Sequence, residues 1–186
     1  MKKSFVVGAV ALLGASSVFA DSYLKAEAQK SYNDFASDVC DFAASCTDKP
    51  NGYRFAYGYE LNDNFAFEIG YGSSGKFKAA DGSDQLSVEV KSIDVAAIGR
   101  LPLSDMFAFT GKLGFTRTDA DTKFSSTFFS ENDSQSSAVP VYGVGMEISW
   151  FTLGYEVIND AEIGLFDGDS EEDNFERIYA GVKINF

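Results

Sequence analysis

The chain has 186 residues, 45% apolar and 15% aromatic, with 15 basic residues against 28 acidic ones and no histidine, for a formal charge of −13. That aromatic content excludes an intrinsically disordered chain, and an acidic chain without a basic stripe is excluded as a nucleic-acid binder. The missing histidine excludes Ser-His-Asp and Cys-His chemistry and the usual zinc sites.

Residues 1–20 read as a secretory signal peptide: Lys2 and Lys3 open it, residues 5–13 are an apolar run, and small residues precede Asp21. The run is too short for a spanning helix, which needs about 20 apolar residues. Removing the segment takes Lys2 and Lys3 with it and moves the formal charge from −13 to −15. The remaining chain, 21–186, has the length of one domain. It contains no stretch fit for a spanning helix, so any membrane passage is left to strands.

The first strand, 23–30, sets Leu24, Ala26 and Ala28 against Lys25, Glu27 and Gln29. Cys40 and Cys46 follow in a segment rich in Asp, Ser and Ala. In an exported chain this close pair is expected to form a disulfide stapling a loop, since neither C-x-x-C spacing nor further metal-binding side chains accompany it. Alternation is clearest at 52–61, where Tyr53, Phe55, Tyr57, Tyr59 and Leu61 share one face and Arg54, Ala56, Gly58 and Glu60 the other. After a turn at 62–63, Phe65, Phe67, Ile69 and Tyr71 alternate with Ala66, Glu68 and Gly70, which makes a hairpin. Ile93, Val95, Ala97 and Leu101 then oppose Asp94, Ala96 and Arg100. Beyond a turn at 102–105, Phe107, Phe109, Leu113 and Phe115 oppose Ala108, Thr110, Lys112 and Gly114. Tyr142, Val144, Met146 and Ile148 oppose Gly143, Gly145 and Glu147, and a tight turn at 149–150 leads to Phe151, Leu153, Tyr155 and Val157 against Thr152, Gly154 and Glu156. The last strand sets Ile178, Ala180, Val182, Ile184 and Phe186 against Arg177, Tyr179, Gly181, Lys183 and Asn185.

Eight alternating segments result. Short turns alternate with long polar loops, expected at 31–51, 73–86, 119–137 and 160–173. This rhythm predicts an all-β fold: an eight-stranded antiparallel up-and-down transmembrane β-barrel with both termini on the short-turn, periplasmic side. The competing architecture is a soluble ligand barrel with the aromatic face inside. Charge balance favours the membrane barrel. The face opposite the aromatics carries Glu27, Glu60, Glu68, Asp94, Glu147 and Glu156 against Lys25, Arg54, Arg100, Lys112, Arg177 and Lys183. Such a neutral set can pair in a lumen, leaving the acidic excess to the loops. Lys112 and Arg100, opposite Glu68 and Glu147, are the expected centre.

The segments GYRFAYGYELNDNFAFEIGY (52–71), GRLPLSDMFAFTGKLGFTRTDAD (99–121) and RIYAGVKINF (177–186) resemble the OmpA/OmpX-type small outer-membrane barrels across essentially the whole of 21–186. The resemblance implies that the terminal strand is read by the barrel-assembly machinery, with Phe186, Ile184, Val182, Ala180 and Ile178 as the signal. It covers the barrel only, so the peptidoglycan-binding domain of full-length OmpA proteins, and wall anchoring with it, is not expected. The motifs specify architecture far better than function.

The remaining features receive plainer readings. The acidic stretch 167–173 does not follow the calcium-loop order and is expected to be a solvated loop, sharing divalent ions with lipopolysaccharide as a secondary hypothesis. Trp150, Tyr59 and Phe151 read as an interfacial belt. The Gly-x-Gly pairs at 70–72 and 143–145 lack the rest of a nucleotide loop and mark crowded lumen positions. Pro140 is placed where its strand leaves the third loop. No Ser–Lys spacing suggests catalysis, and no cofactor or metal is expected. The expectation is a Gram-negative outer-membrane monomer, surrounded by lipid and lipopolysaccharide, serving envelope integrity or surface contact through its loops. The alternative is a narrow channel for ions or small solutes.

Overall fold

A computed structural model describes residues 22–33, 39–41, 43–82, 84–126, 130–164 and 170–186. Nine strands run in chain order: β1 (Ser22–Asn33), β2 (Ser45–Thr47), β3 (Asn51–Asn62), β4 (Phe65–Asp81), β5 (Asp84–Ser104), β6 (Phe107–Ser125), β7 (Ser130–Ile148), β8 (Phe151–Gly164) and β9 (Ser170–Asn185). Every pairing is antiparallel, and β4–β5 pairing closes eight of them into a ring, with β2 added to β4 on the edge that β3 uses lower down. The seam between first and last strands runs from Tyr23 opposite Asn185 to Asn33 opposite Phe175. The expected signal peptide lies outside the described residues.

Exposure decides which way this barrel faces. Phe115 and Leu113 are 71% and 69% exposed, whereas Arg54 and Glu156 are 2% and Asp94 0% exposed. A soluble barrel buries the first pair and solvates the others; here the outside is built for hydrocarbon and the inside for charge. The outward row Phe65, Phe67, Ile69 and Tyr71 on β4 meets Ala97, Val95 and Ile93 on β5, and these continue across to Leu113 and Phe115 on β6. Trp150 stacks on Phe151 at the β7–β8 turn, their ring centroids 3.8 Å apart, and both point outward, as does Tyr59.

Three of the four expected loops prove to be mostly strand. The residues expected in loops at 73–86 and 119–137 instead carry β4 up to Asp81, start β5 at Asp84, carry β6 to Ser125 and start β7 at Ser130. The 160–173 segment likewise extends β8 to Gly164 and begins β9 at Ser170. Of the acidic stretch, 167–169 lie outside the described residues and 170–173 pair with 161–164. The physical reason is a change of solvent. Above the hydrocarbon band the outer face meets water, so Lys76, Glu89, Lys91, Arg117 and Asp121 can point outward and the aromatic alternation stops while the ladder continues.

Inside, the change of solvent inverts the packing. Phe77, Val88, Val90, Ala120, Val139, Val141, Ile158 and Phe175 form a buried apolar cluster in the extended half, and Phe77 meets Phe175 edge-on at 6.1 Å between ring centroids. The barrel is thus inside-out in the membrane and ordinary above it. A bulge between Ser73 and Lys76 reverses the parity of β4 and turns Phe77 inward. Gly75 supplies the required left-handed backbone, with φ at 79°.

Because β3 tops out at Asn51 while β4 continues, the wall above β3 lacks a strand. β2 occupies that place, pairing Ser45 with Ala80 and Thr47 with Lys78. Cys40 and Cys46 form the expected disulfide, with Cα atoms 5.4 Å apart. Val39, Cys40, Cys46 and Thr47 close the mouth over Phe77, Leu86, Val88 and Phe175, leaving a void of about 20 Å³, roughly the room one water needs. All three β2 residues are exposed, and among the described residues they are held by their ladder with β4 and by the bond from Cys46 to Cys40. Reducing the disulfide should therefore abolish hydrogen-exchange protection at Cys46 and Thr47 while β3 and β9 keep theirs. Mass-spectrometric exchange with and without reductant checks this.

Candidate functional site

The membrane-embedded lumen is the site with the densest chemistry. Inward charges fall at even spacings, Lys25 and Glu27 on β1, Arg54 and Glu60 on β3, Asp94 and Arg100 on β5, Arg177 and Lys183 on β9, while β4, β6, β7 and β8 deliver Glu68, Lys112, Glu147 and Glu156 singly. The structure brings all twelve charged residues singled out above into one continuous set of ion pairs. From the short-turn end, Lys183 meets Glu60 at 2.8 Å and Glu147 at 3.3 Å. Glu147 also meets Arg100 at 2.9 Å and Lys25 at 3.9 Å. Lys25 continues to Glu68 at 3.0 Å.

Arg54 is the hub. Its guanidinium donates to Glu27 at 2.8 Å, to Glu68 at 2.6 Å and to both oxygens of Asp94 at 3.0 and 2.7 Å. Its planar fork suits several carboxylates at once, which an ammonium does not match. Asp94 passes the set on to Lys112 at 3.0 Å, Lys112 reaches Glu156 at 2.8 Å, and Glu156 meets Arg177 at 2.7 Å. Arg177 donates its other terminal nitrogen to Ser92 Oγ at 3.3 Å.

The expected centre needs correcting in two respects. Arg100 does meet Glu147, but its side chain is 32% exposed and lies at the rim. Lys112 bridges Asp94 and Glu156, while Glu68, placed with it in the expected centre, is held by Lys25 and Arg54. Register decides this: Glu68 lies opposite Gly58 and Ala96, so its neighbours in the lumen come from β1 and β3. Tyr23 belongs to the same set, although the sequence reading does not count it there. It is 1% exposed, donates its hydroxyl to Glu68 at 3.1 Å, and lies under the Lys183 ammonium at 4.2 Å from the ring centroid. Its inward position, two residues before Lys25, was the available signal.

The Gly-x-Gly positions face the lumen, where small size decides. A β-carbon on Gly70 would collide with the Arg54 guanidinium, and Arg54 cannot yield because three carboxylates hold it. Gly70→Ala should therefore destabilise the barrel by about 1–3 kcal/mol, read as a lower urea midpoint after refolding into vesicles. Voids at this level, lined by Lys25, Arg54, Lys112 and Glu156 among others, are about 10 Å³, no more than a single water fills. Among the described residues no group of side chains could hold a metal ion.

Pro140 is not at a loop exit. It sits within β7 opposite Phe115, and β7 continues above it to Ser130. Ladder pairing with β8 begins one residue below, at Val141 opposite Ile158. The C-terminal row Ile178, Ile184 and Phe186 lies exposed on the outside of β9. Ala180 and Val182 continue that row, and Phe186 donates its backbone N–H to Ser22 O at 3.0 Å.

An outward apolar belt, a paired lumen and a closed eight-stranded ring together define a transmembrane β-barrel. Residues 5–186 match the family model described as outer membrane protein beta-barrel domain, and the chain belongs to that family. It is an outer-membrane protein. Among solved structures, Neisserial surface protein A is similar at 17% identity and TM-score 0.57, covering 89% of this chain and 97% of that one. Ail, the attachment invasion locus protein of Yersinia pestis, is similar at 17% identity and TM-score 0.50, over 88% of this chain and 97% of that one. The N-terminal β-barrel domain of Pseudomonas aeruginosa OprF follows at 14% identity and TM-score 0.50, over 87% and 97%. Comparison with curated proteins found no match.

Proposed function

We propose that this barrel is closed to conduction, has no catalytic role, and serves the outer membrane through its protruding hairpins, as a structural and surface-contact protein. The observation that carries this reading is the lumen. Twelve charges cancel in a single set of pairs, the voids among them are water-sized, and an apolar cluster caps them from above. An ion entering would have to break pairs whose members have no bulk water to turn to. The attachment role named for Ail and the surface position named for the Neisserial protein agree with this reading, although they reach the present chain only through a shared fold.

Within the same reading, lipid and lipopolysaccharide surround the belt of a monomer, and the outward row of β9 ending at Phe186 is the segment offered to the barrel-assembly machinery. The deciding experiment is single-channel conductance of the refolded protein in a planar bilayer, repeated with Lys112→Gln. The expected result is silence from both, with protease protection showing correct insertion. Reproducible openings whose ion selectivity shifts with the substitution would instead make the lumen charges a filter.

A further inference from the structure

We propose that the outer face of β4–β6 above the membrane belt is a phosphate clamp, in which Lys78, Ser87 and Lys123 hold a phosphate carried on a sugar of lipopolysaccharide. The proposal rests on the reading that lipopolysaccharide surrounds this barrel, and it names the sector and the group that meet. Seven lysines and arginines lie outside the lumen set in the chain from Asp21 onward. Five of them, Lys76, Lys78, Lys91, Arg117 and Lys123, stand on β4, β5 and β6 above the apolar belt. Between Lys123 and Arg177 the sequence has neither residue type, so β7, β8 and the start of β9 contribute none.

Register sets the outward rows. Ile93 and Val95 face lipid on β5, so Lys91, Glu89 and Ser87 continue the same face upward. The bulge that turns Phe77 inward places Lys76 and Lys78 outside, opposite Glu89 and Ser87. On β6, Arg117, Asp119, Asp121 and Lys123 continue the face of Leu113 and Phe115, opposite Ile93, Lys91, Glu89 and Ser87. Three carboxylates stand among the five cations, and three cations take them. Lys76 meets Glu89 at 3.8 Å, Lys91 meets Asp121 at 2.9 Å, and Arg117 meets Asp119 at 3.7 Å. Asp48, next to the Thr47 that lies opposite Lys78, is paired with Lys49 at 3.7 Å. Asp81 and Asp84 stand at the hairpin end, on the lumen-side parity. Lys78 and Lys123 are exposed and enter no ion pair among the described residues.

These two lysines flank Ser87 in one row across three strands. Their backbones are two strand spacings apart, about 10 Å. Two lysine side chains can close that gap onto one phosphate, with the Ser87 hydroxyl beneath as a third donor. Height selects the source. Ser87 lies six residues beyond Ile93, which is about 20 Å along the strand and about 15 Å in height at the usual barrel tilt. A phospholipid phosphate lies within about 5–8 Å of the hydrocarbon, near Lys91 and Arg117, whose charges are already paired. Phosphates on the sugars of lipopolysaccharide stand higher and stay tethered beside the wall, where Lys78 and Lys123 meet them.

The test counts lipopolysaccharide bound to the refolded protein in a nonionic detergent by native mass spectrometry. Lipopolysaccharide with phosphorylated core sugars is expected to bind at least about tenfold more tightly than lipid A, which has phosphates but no core. Lys78→Gln combined with Lys123→Gln should bring the first down to the second, and Ser87→Ala should weaken it less. Lys30→Gln combined with Lys49→Gln removes the same charge outside the sector and should change nothing; all four lysines are exposed, so the fold is kept. Equal loss from both lysine pairs, or equal binding of lipid A, would overturn the clamp while leaving lipopolysaccharide around the barrel. Soluble polyphosphate bound as tightly as lipopolysaccharide would overturn the membrane-tethered source. Retention of neither lipopolysaccharide nor lipid A by the unaltered protein would strike the surrounding reading itself, and the clamp with it.

Discussion

Replacing Arg54 by methionine is expected to destabilise the folded barrel by about 3–5 kcal/mol, the range for removing one partner of a buried ion pair. Glu27, Glu68 and Asp94 all converge on this guanidinium, and all three are buried. Lys25 still serves Glu68 and Lys112 still serves Asp94, but Glu27 loses the one cation it pairs with among the described residues. Arg100→Met supplies the comparison. Its side chain is a third exposed at the rim, so water screens the pair it makes with Glu147, and the loss should stay below about 1 kcal/mol. Combining Arg54→Met with Glu27→Leu should recover part of the deficit, because it removes the stranded carboxylate. Urea unfolding from vesicles, followed by the fluorescence of the single tryptophan, Trp150, measures all three. A loss no larger for Arg54→Met than for Arg100→Met would remove Arg54 from the centre of the lumen.

What could be seen in the chain beforehand follows the solvent. Inside the hydrocarbon band each strand separates two very different environments, lipid and a crowded lumen, and the period-two pattern records both; hence Phe55 and Arg54, or Phe67 and Glu68, are assigned to opposite faces from sequence. Above the band the contrast reverses and weakens. Val88 and Val90 inside against Glu89 and Lys91 outside is still an alternation, but short and polar enough to be taken for a loop. Phe77 is harder, because Gly75 and the bulge reverse its parity, and such a shift leaves only a glycine as its mark. β2 is beyond reach by this route, since its three residues are all exposed and its place depends on where β3 stops. In the site, parity put all twelve charges on one face. Partner choice needs the register across six strands, so parity alone neither marks Arg54 as the hub nor says which carboxylates Lys112 bridges.

The reversal above the membrane has its own consequence, which Phe175 exposes. It is 3% exposed, packs edge-on against Phe77, and lies opposite both Asn33 on β1 and Ile158 on β8. Phe175→Ala should cost about 3–5 kcal/mol through lost burial and the cavity it leaves. The loss should be local, because the lumen below is held by charge pairs that do not involve this ring. Hydrogen exchange is therefore expected to accelerate in the upper parts of β4, β5 and β9, around Phe77, Val88 and Phe175, while amides beside Arg54 and Asp94 stay protected. Phe115→Ala, on the lipid face of β6, should leave that upper-half exchange unchanged. Equal acceleration beside Phe77 and beside Arg54 would mean that apolar cap and ionic lumen open as one unit. Acceleration confined to the upper half would instead mean that the protruding hairpins can loosen and adapt to a partner while the membrane seal below them stays shut, the separation that a surface-contact barrel requires.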